Sequence, residues 1–203
     1  MSVVKSKSLK TALYRKAVHL SSLWIPAVIM FYSRNFCIVL FAGLLSIDII
    51  AEYSACKRRG IGKLFRRMFI KTLRNGEVAR TRFVPSGSVY ILSAALFVSV
   101  CFSQRAAAAA MSIVLTADAC AALVGRFFGT FRFSNGKSVE GTAAFLVTAV
   151  LLVRFFFPAA SVFAVCLTAL LATAAEFFES KTGTDDNFSI PLVSGFILNL
   201  ISR

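Results

Sequence analysis

Three groups of ionisable residues in this chain have the composition of a site that handles phosphate and a cation. The first is Asp118, set inside an apolar run and followed by Ala122, Gly125 and Gly129 at spacings of four, three and four. An ionised group near the bilayer centre costs about 2.5–3.5 kcal/mol on insertion scales, so an acid in such a run is a candidate for ligand contact. The same stripe of small residues also suits a close helix-packing seam in which the acid pairs with an arginine or the backbone. The second group is the turn-rich run Asn135-Gly136-Lys137-Ser138-Val139-Glu140-Gly141. Its Gly136-Lys137-Ser138 step matches the end of a P-loop, where freed backbone amides cradle phosphate, but the glycine expected five residues earlier is Phe131. Any phosphate held there rests on a different scaffold. The third group is Glu176 and Glu179, followed by Thr184-Asp185-Asp186-Asn187. Oxygen-rich sets of this kind suit Mg²⁺, which binds through one or two carboxylates plus substrate phosphates and keeps several waters. They also fit a polar turn that caps the last helix through Asp186 or Asn187.

The elements that must position these groups are membrane helices. The chain has 203 residues, of which 58% are hydrophobic, with mean hydropathy +0.77, and its charges fall in short stretches between long apolar runs. A soluble domain of this size has no interior for that much apolar surface, so the expected solvent is lipid. Runs near the roughly 20 residues needed to cross the hydrocarbon core lie at 17–33, 36–53, 84–103, 106–128, 141–157, 159–179 and 188–202. Each is expected to be helical, because an open strand in lipid leaves its amides unpaired. The fold class expected is an all-α polytopic membrane protein with about seven transmembrane helices, forming one catalytic domain over 1–203.

Residues 57–74 differ from the spans. Lys63, Arg67, Lys71 and Arg74 recur at helical spacing opposite Ile61, Leu64, Phe65, Met68 and Phe69, the pattern of an amphipathic helix lying on an anionic face. An ordinary basic loop that orients the protein has the same composition. With the N-terminus inside, cytoplasmic segments carry nineteen Lys and Arg and the other side carries Arg34, Arg105, Arg154 and Arg203. All nine carboxylates then fall in cytoplasmic segments or inner halves of spans, which the rule for basic residues does not require. The formal charge of +14 points to anionic lipid headgroups rather than nucleic acid. No small-residue cleavage site follows the first apolar stretch, which reads as an uncleaved span. The five cysteines are scattered and read as small buried hydrophobes.

Taken in order, Asp118-Ala119-Cys120-Ala121-Ala122-Leu123-Val124-Gly125-Arg126-Phe127-Phe128-Gly129, Lys137-Ser138-Val139-Glu140-Gly141, and Glu176 with Asp185-Asp186-Asn187 resemble the CTP-dependent lipid kinases, the group of dolichol, phytol and CTP-dependent diacylglycerol kinases. Arg15-Lys16-Ala17-Val18-His19 and Glu77-x-x-Arg80 also match that group's pattern. The resemblance implies transfer of the γ-phosphoryl group of CTP to the hydroxyl of a membrane lipid alcohol, diacylglycerol or a polyprenol, with Mg²⁺ or another divalent cation, at the cytoplasmic face. Lys137, Arg15, Lys16 and Arg80 are then candidates for phosphate contacts. Asp118, Asp185 and Asp186 are candidates for the metal, with Glu140 and Glu176 assisting, and Asn135, Ser138 and Asn187 for reading the cytosine. His19, close to Arg15 and Lys16, would serve as a base, as a phosphate hydrogen-bond partner or as a structural residue. Asp48 and Glu52 share a helix face and either complete the metal shell or pair with loop arginines. A CDP-diacylglycerol synthase, which the group distantly resembles, ranks second because its proline-glycine step and Asp-Arg-x-Asp run near the C-terminus are missing. A transporter or scaffold ranks third, because the outer halves of the spans carry no acid.

Overall fold

A computed structural model of the protein describes residues 16–56, 85–179 and 183–202. Arg15, Glu77, Arg80 and the basic segment 57–74 lie outside the described residues. The described residues form seven helical elements and no strand, apart from one isolated bridge between Arg132 and Ser138. They are α1 (Lys16–Phe31), α2 (Arg34–Cys56), α3 (Gly87–Cys101), α4 (Gln104–Phe127), α5 (Val139–Phe156), α6 (Val162–Phe177) and α7 (Asp186–Ile201). Each falls within a few residues of an apolar run read from the sequence. Three of them, α2, α4 and α5, are long and apolar enough to cross a membrane, while α1, α3, α6 and α7 are apolar but shorter.

Serines start four of these helices. Ser86, Ser103, Ser138 and Ser161 stand at the N-caps of α3, α4, α5 and α6, and each hydroxyl accepts a backbone amide two or three residues on. The Asp185 carboxylate does the same for α7, taking the Asn187 amide at 3.1 Å. Such a cap satisfies one of the orphan donors of the first turn and contributes about 1 kcal/mol. Pro26 governs α1, which turns at residues 22–23 before resuming at Trp24. A proline has no amide for the Ser22 carbonyl, and the Ile25 amide bonds it instead at 2.9 Å.

The centre of the bundle is α4. In its apolar window 72% of residues are buried, against 17% for α2 and 22% for α5, and it packs against α1, α3, α5 and α7. Ala106 through Ala110 are all fully buried, so the short side chains let four neighbours approach the central backbone. Outward-facing Val39, Ile47, Ile50, Val147, Leu151, Phe155, Phe163 and Leu170 are exposed. In water they would form an apolar girdle far larger than a soluble monomer presents, whereas in lipid they meet acyl chains.

Gly195 marks the tightest contact of α7. A methyl group there would lie 2.5 Å from the Phe102 ring and 3.3 Å from the Ala110 side chain. Phe102 is buried, so its ring has little room to yield. Gly195→Ala is expected to lower stability by about 1–3 kcal/mol, read as an earlier thermal midpoint in detergent; an unchanged midpoint would show that α7 and the Phe102 ring adjust freely.

Candidate functional site

The sequence spreads the ionisable groups from Lys16 to Asp186, and the bundle collects most of them at one end. Connections alternate, so the start of α1, the end of α2, the start of α3, the end of α4, the start of α5, the end of α6 and the start of α7 share that end.

Asp118 sits where α4 changes its winding. Residues Ile113–Ala117 form a π-turn directly before it. The wider turn shifts the register of the rest of the helix and loosens carbonyls from the helical ladder. The Val114 carbonyl lies 3.2 Å from Nε2 of His19. A carbonyl only accepts, so this nitrogen carries the proton and donates. The same Nε2 is 3.4 Å from Oδ2 of Asp118, and that oxygen also receives the ammonium of Lys16. Asp118 is only 7% exposed, and a carboxylate so enclosed needs the cation that Lys16 supplies. The acid expected to hold metal is therefore engaged by a lysine and a histidine from α1.

The second cluster hangs on the α4–α5 connection. Residues 131–139 form a small hairpin, with the Phe133 amide donating to the Lys137 carbonyl at 2.8 Å and the Val139 amide to the Phe131 carbonyl at 3.0 Å. Gly136 closes its turn with φ +83°, a left-handed conformation that suits glycine. The hairpin lies across the end of α6. Asn135 donates its side-chain amide to the Phe177 carbonyl at 3.0 Å, and Lys137 bonds the Glu176 carbonyl. The Lys137 ammonium is also 2.7 Å from Oε1 of Glu176 and 3.7 Å from Oε2 of Glu179. A lysine there meets both the negative end of the helix dipole and two carboxylates.

The third cluster is acidic. Glu179, Asp185 and Asp186 each bring one carboxylate oxygen within 4.8 Å of the others. Asp186 lies in the fields of Asp118, Glu179, Asp185 and Lys16, and Glu176 in those of Lys137, Asp118 and Glu179, so the three clusters make one electrostatic unit. The sequence groups Glu179 with Glu176, Asp185 and Asp186 in an oxygen-rich set, but the ligands implied by the resemblance are Asp118, Asp185 and Asp186 with Glu140 and Glu176, and not Glu179. Its spacing of three from Glu176 is the signal that could have found it.

Other expected site residues are held in structural contacts. Glu140 accepts the Thr130 amide at 2.8 Å, the Thr130 hydroxyl and the Phe131 amide, fixing the start of the hairpin. Ser138, expected to read the nucleotide base, is buried at the N-cap of α5, against Gly125, Gly129 and Gly141. A methyl group on Gly125 would lie 2.6 Å from the Ser138 hydroxyl, and one on Gly129 would run into the Gly125 carbonyl. The small-residue stripe below Asp118 is thus an internal α4–α5 seam. Glu52 receives the Ser86 amide at 3.2 Å and the Ser86 hydroxyl, tying α2 to the start of α3. Asp48 stands one turn earlier on α2, and neither acid belongs to the carboxylate trio. Asn187 donates to Oδ1 of Asp185 at 2.6 Å.

Among the described residues, six buried side-chain atoms have no hydrogen-bond partner: Asp48 Oδ2, Glu140 Oε2, Thr142 Oγ1, Glu176 Oε2, Asn187 Oδ1 and Ser189 Oγ. All six are oxygens, and all six lie at this end of the bundle. Buried polar atoms are almost always paired, so these oxygens are matched by water, a cation or another donor. Hard divalent cations take oxygen ligands of this kind. Among the described residues Glu179, Asp185 and Asp186 are grouped closely enough to hold such an ion, with Glu176 and its unpartnered Oε2 one turn before Glu179, whereas Asp118 is engaged by Lys16 and His19 and one oxygen of Glu140 by Thr130 and Phe131.

An uncharacterized protein of Rickettsia prowazekii (strain Madrid E) is 30% identical to this chain over 182 residues, 88% of each chain. This chain belongs to the same family. With 88% of both chains aligned, the family relationship extends over most of the bundle and is not confined to one helix pair. No protein-family model matches the sequence. No solved structure matches it either.

Proposed function

We propose that this protein is a membrane kinase that transfers the γ-phosphoryl group of CTP to the hydroxyl of a lipid alcohol, diacylglycerol or a polyprenol, at the cytoplasmic face of a seven-helix bundle. The observation that carries the reading is the joining of two lysines with a carboxylate trio and six unpartnered buried oxygens at one end of an apolar bundle. Phosphoryl transfer needs positioning and charge neutralisation, and this end offers cations for phosphate beside acids for a metal. In this reading Lys16 and Lys137 contact phosphate oxygens, and Glu179, Asp185 and Asp186 hold the divalent ion with Glu176 beside them. That ion would neutralise charge on the transferring phosphoryl group. As Lys16 turns to phosphate, Asp118 is released to accept the proton of the attacking hydroxyl. His19 keeps Asp118 oriented through its bond to Val114. Arg15 and Arg80 remain candidates for further phosphate contacts, and the choice of CTP follows from the resemblance of the motifs.

A transporter would need polar groups free at both ends. At the opposite end, Gln104 donates to the carbonyls of Ile29 at 2.7 Å and Tyr32 at 2.8 Å, and Arg154 to those of Pro158 at 3.1 Å and Ala160 at 2.8 Å. Arg34 likewise bonds the Phe102 carbonyl. These groups close helix ends.

The test is nucleotide consumption by purified protein with Mg²⁺ and a panel of diacylglycerol, polyprenols and phytol. CDP and a lipid phosphate are expected, with CTP favoured over ATP and UTP by roughly tenfold or more, equivalent to about 1.4 kcal/mol. Equal use of ATP would remove the CTP assignment, and pyrophosphate release would establish a cytidylyltransferase instead.

A further inference from the structure

The α4–α5 connection carries a feature that phosphoryl transfer does not use. Phe127, Phe128 and Phe131 are 60%, 70% and 74% exposed within five residues. Phe133, the next aromatic along, packs edge-on against Phe177 with ring centroids 4.9 Å apart. The three exposed rings do not sit on a loose loop. Glu140 holds the amides of Thr130 and Phe131, Arg132 donates to the Gly136 carbonyl at 3.0 Å, and Asn135 ties the hairpin to α6. The connection is therefore built to present apolar rings outward, against the tendency of a surface turn to be polar.

The bracketing helices decide what meets them. Both α4 and α5 are long and apolar enough to cross a membrane, so the connection leaves and re-enters at one bilayer surface. The 24 residues of α4 make a helix of about 36 Å against about 30 Å of hydrocarbon. Its last turn, ending at Phe127 with Phe128 as the C-cap, consequently stands at the boundary between acyl chains and headgroups. Arg126 and Arg132, both exposed, flank the rings, and arginine stems beside aromatic rings suit a layer whose outer part is anionic phosphate.

We infer that residues 126–133 dip into the headgroup–acyl boundary of the bilayer and anchor the hairpin there, with membrane lipid as the partner. Lys137, on the returning arm of the same hairpin, is thereby held at the depth of lipid headgroups. The inference rests on α4 and α5 crossing a membrane and is independent of the kinase reading.

The experiment uses the full chain reconstituted in phosphatidylcholine–phosphatidylglycerol vesicles. The sequence has one tryptophan, so Trp24→Phe gives a silent background into which Phe128→Trp or Phe131→Trp is introduced. Lipids brominated near the headgroup end of the chain are expected to quench both probes at least about twofold more than lipids brominated near the chain terminus, with little quenching by aqueous iodide. Strong iodide quenching without lipid quenching would overturn the inference. So would deeper quenching dominating, or no quenching by either agent together with a cross-linked dimer, which would place a second copy of the chain over the rings. The unaltered protein provides a second measurement: a lipid carrying a diazirine near its headgroup should label the peptide containing Phe127 to Phe131, and absence of label there would also refute it.

Discussion

Asp118→Asn is expected to reduce phosphoryl transfer by about 10²–10³-fold, the range seen when one group serving transition-state charge is removed, while the protein still inserts and purifies. The substitution keeps size and hydrogen-bonding capacity in a site that is 7% exposed but removes the charge that holds Lys16. The loss should appear in kcat, because the hydroxyl proton has no carboxylate to receive it, with a smaller change in the CTP KM. Near-normal kcat at saturating CTP would show that the Lys16–Asp118 pair only joins α1 to α4. Asp118→Ala is a poorer probe, because it removes the hydrogen-bonding side chain along with the charge and leaves the Lys16 ammonium facing a gap in the low-dielectric interior.

The second large effect is expected at the hairpin. Lys137→Met leaves Glu176 and the carbonyl end of α6 without their cation. Removing one partner of a fully buried ion pair costs about 3–5 kcal/mol. The Lys137 side chain is 22% exposed, so the loss should lie at or below the lower end of that range. Glu176→Gln alone should also destabilise, but the double variant should recover most of the thermal midpoint, because the more buried of the two carboxylates facing Lys137 then carries no charge. Activity should not return in the double variant, because the phosphate contact is gone. Thermal melting and CDP formation, measured on the same three samples, separate the two roles. A double variant no more stable than Lys137→Met would mean the pair does not clamp the hairpin, and full activity in Lys137→Met would remove this lysine from the site.

The helices are legible in the sequence because lipid permits few alternatives. An apolar run of spanning length must satisfy its backbone internally, so runs such as 36–53 and 106–128 emerge as α2 and α4 with modest boundary shifts. The contacts between helices are not legible in the same way. Lys16 and Asp118 are 102 residues apart, and nothing local indicates that the lysine, expected to await phosphate, rests on the acid expected to await metal. The π-turn at Ile113–Ala117 has no signature in Ile-Val-Leu-Thr-Ala. Ser138 shows the converse problem: a serine opening a helix and a serine awaiting a ligand look alike in sequence, and only burial against Gly125 and Gly129 separates them. The acids among the described residues gather at one end of the bundle as their distribution along the chain suggests, yet Glu52 and Glu140 are drawn away to organise turns. Glu179, part of the oxygen-rich set in the sequence but not among the ligands the resemblance implies, completes the carboxylate trio.

The closing of the far helix ends by Gln104, Arg34 and Arg154 has a bearing on energy coupling. A chemical step confined to one mouth of the bundle carries no net charge through the transmembrane field, which would otherwise contribute about 2.3 kcal/mol per charge per 100 mV. In the proposed reading, substrates, products and counter-ions would enter and leave by the same side. The equilibrium of such a reaction is set by the concentrations in that compartment and that leaflet alone, so neither the voltage nor an ion gradient can drive it or be drained by it.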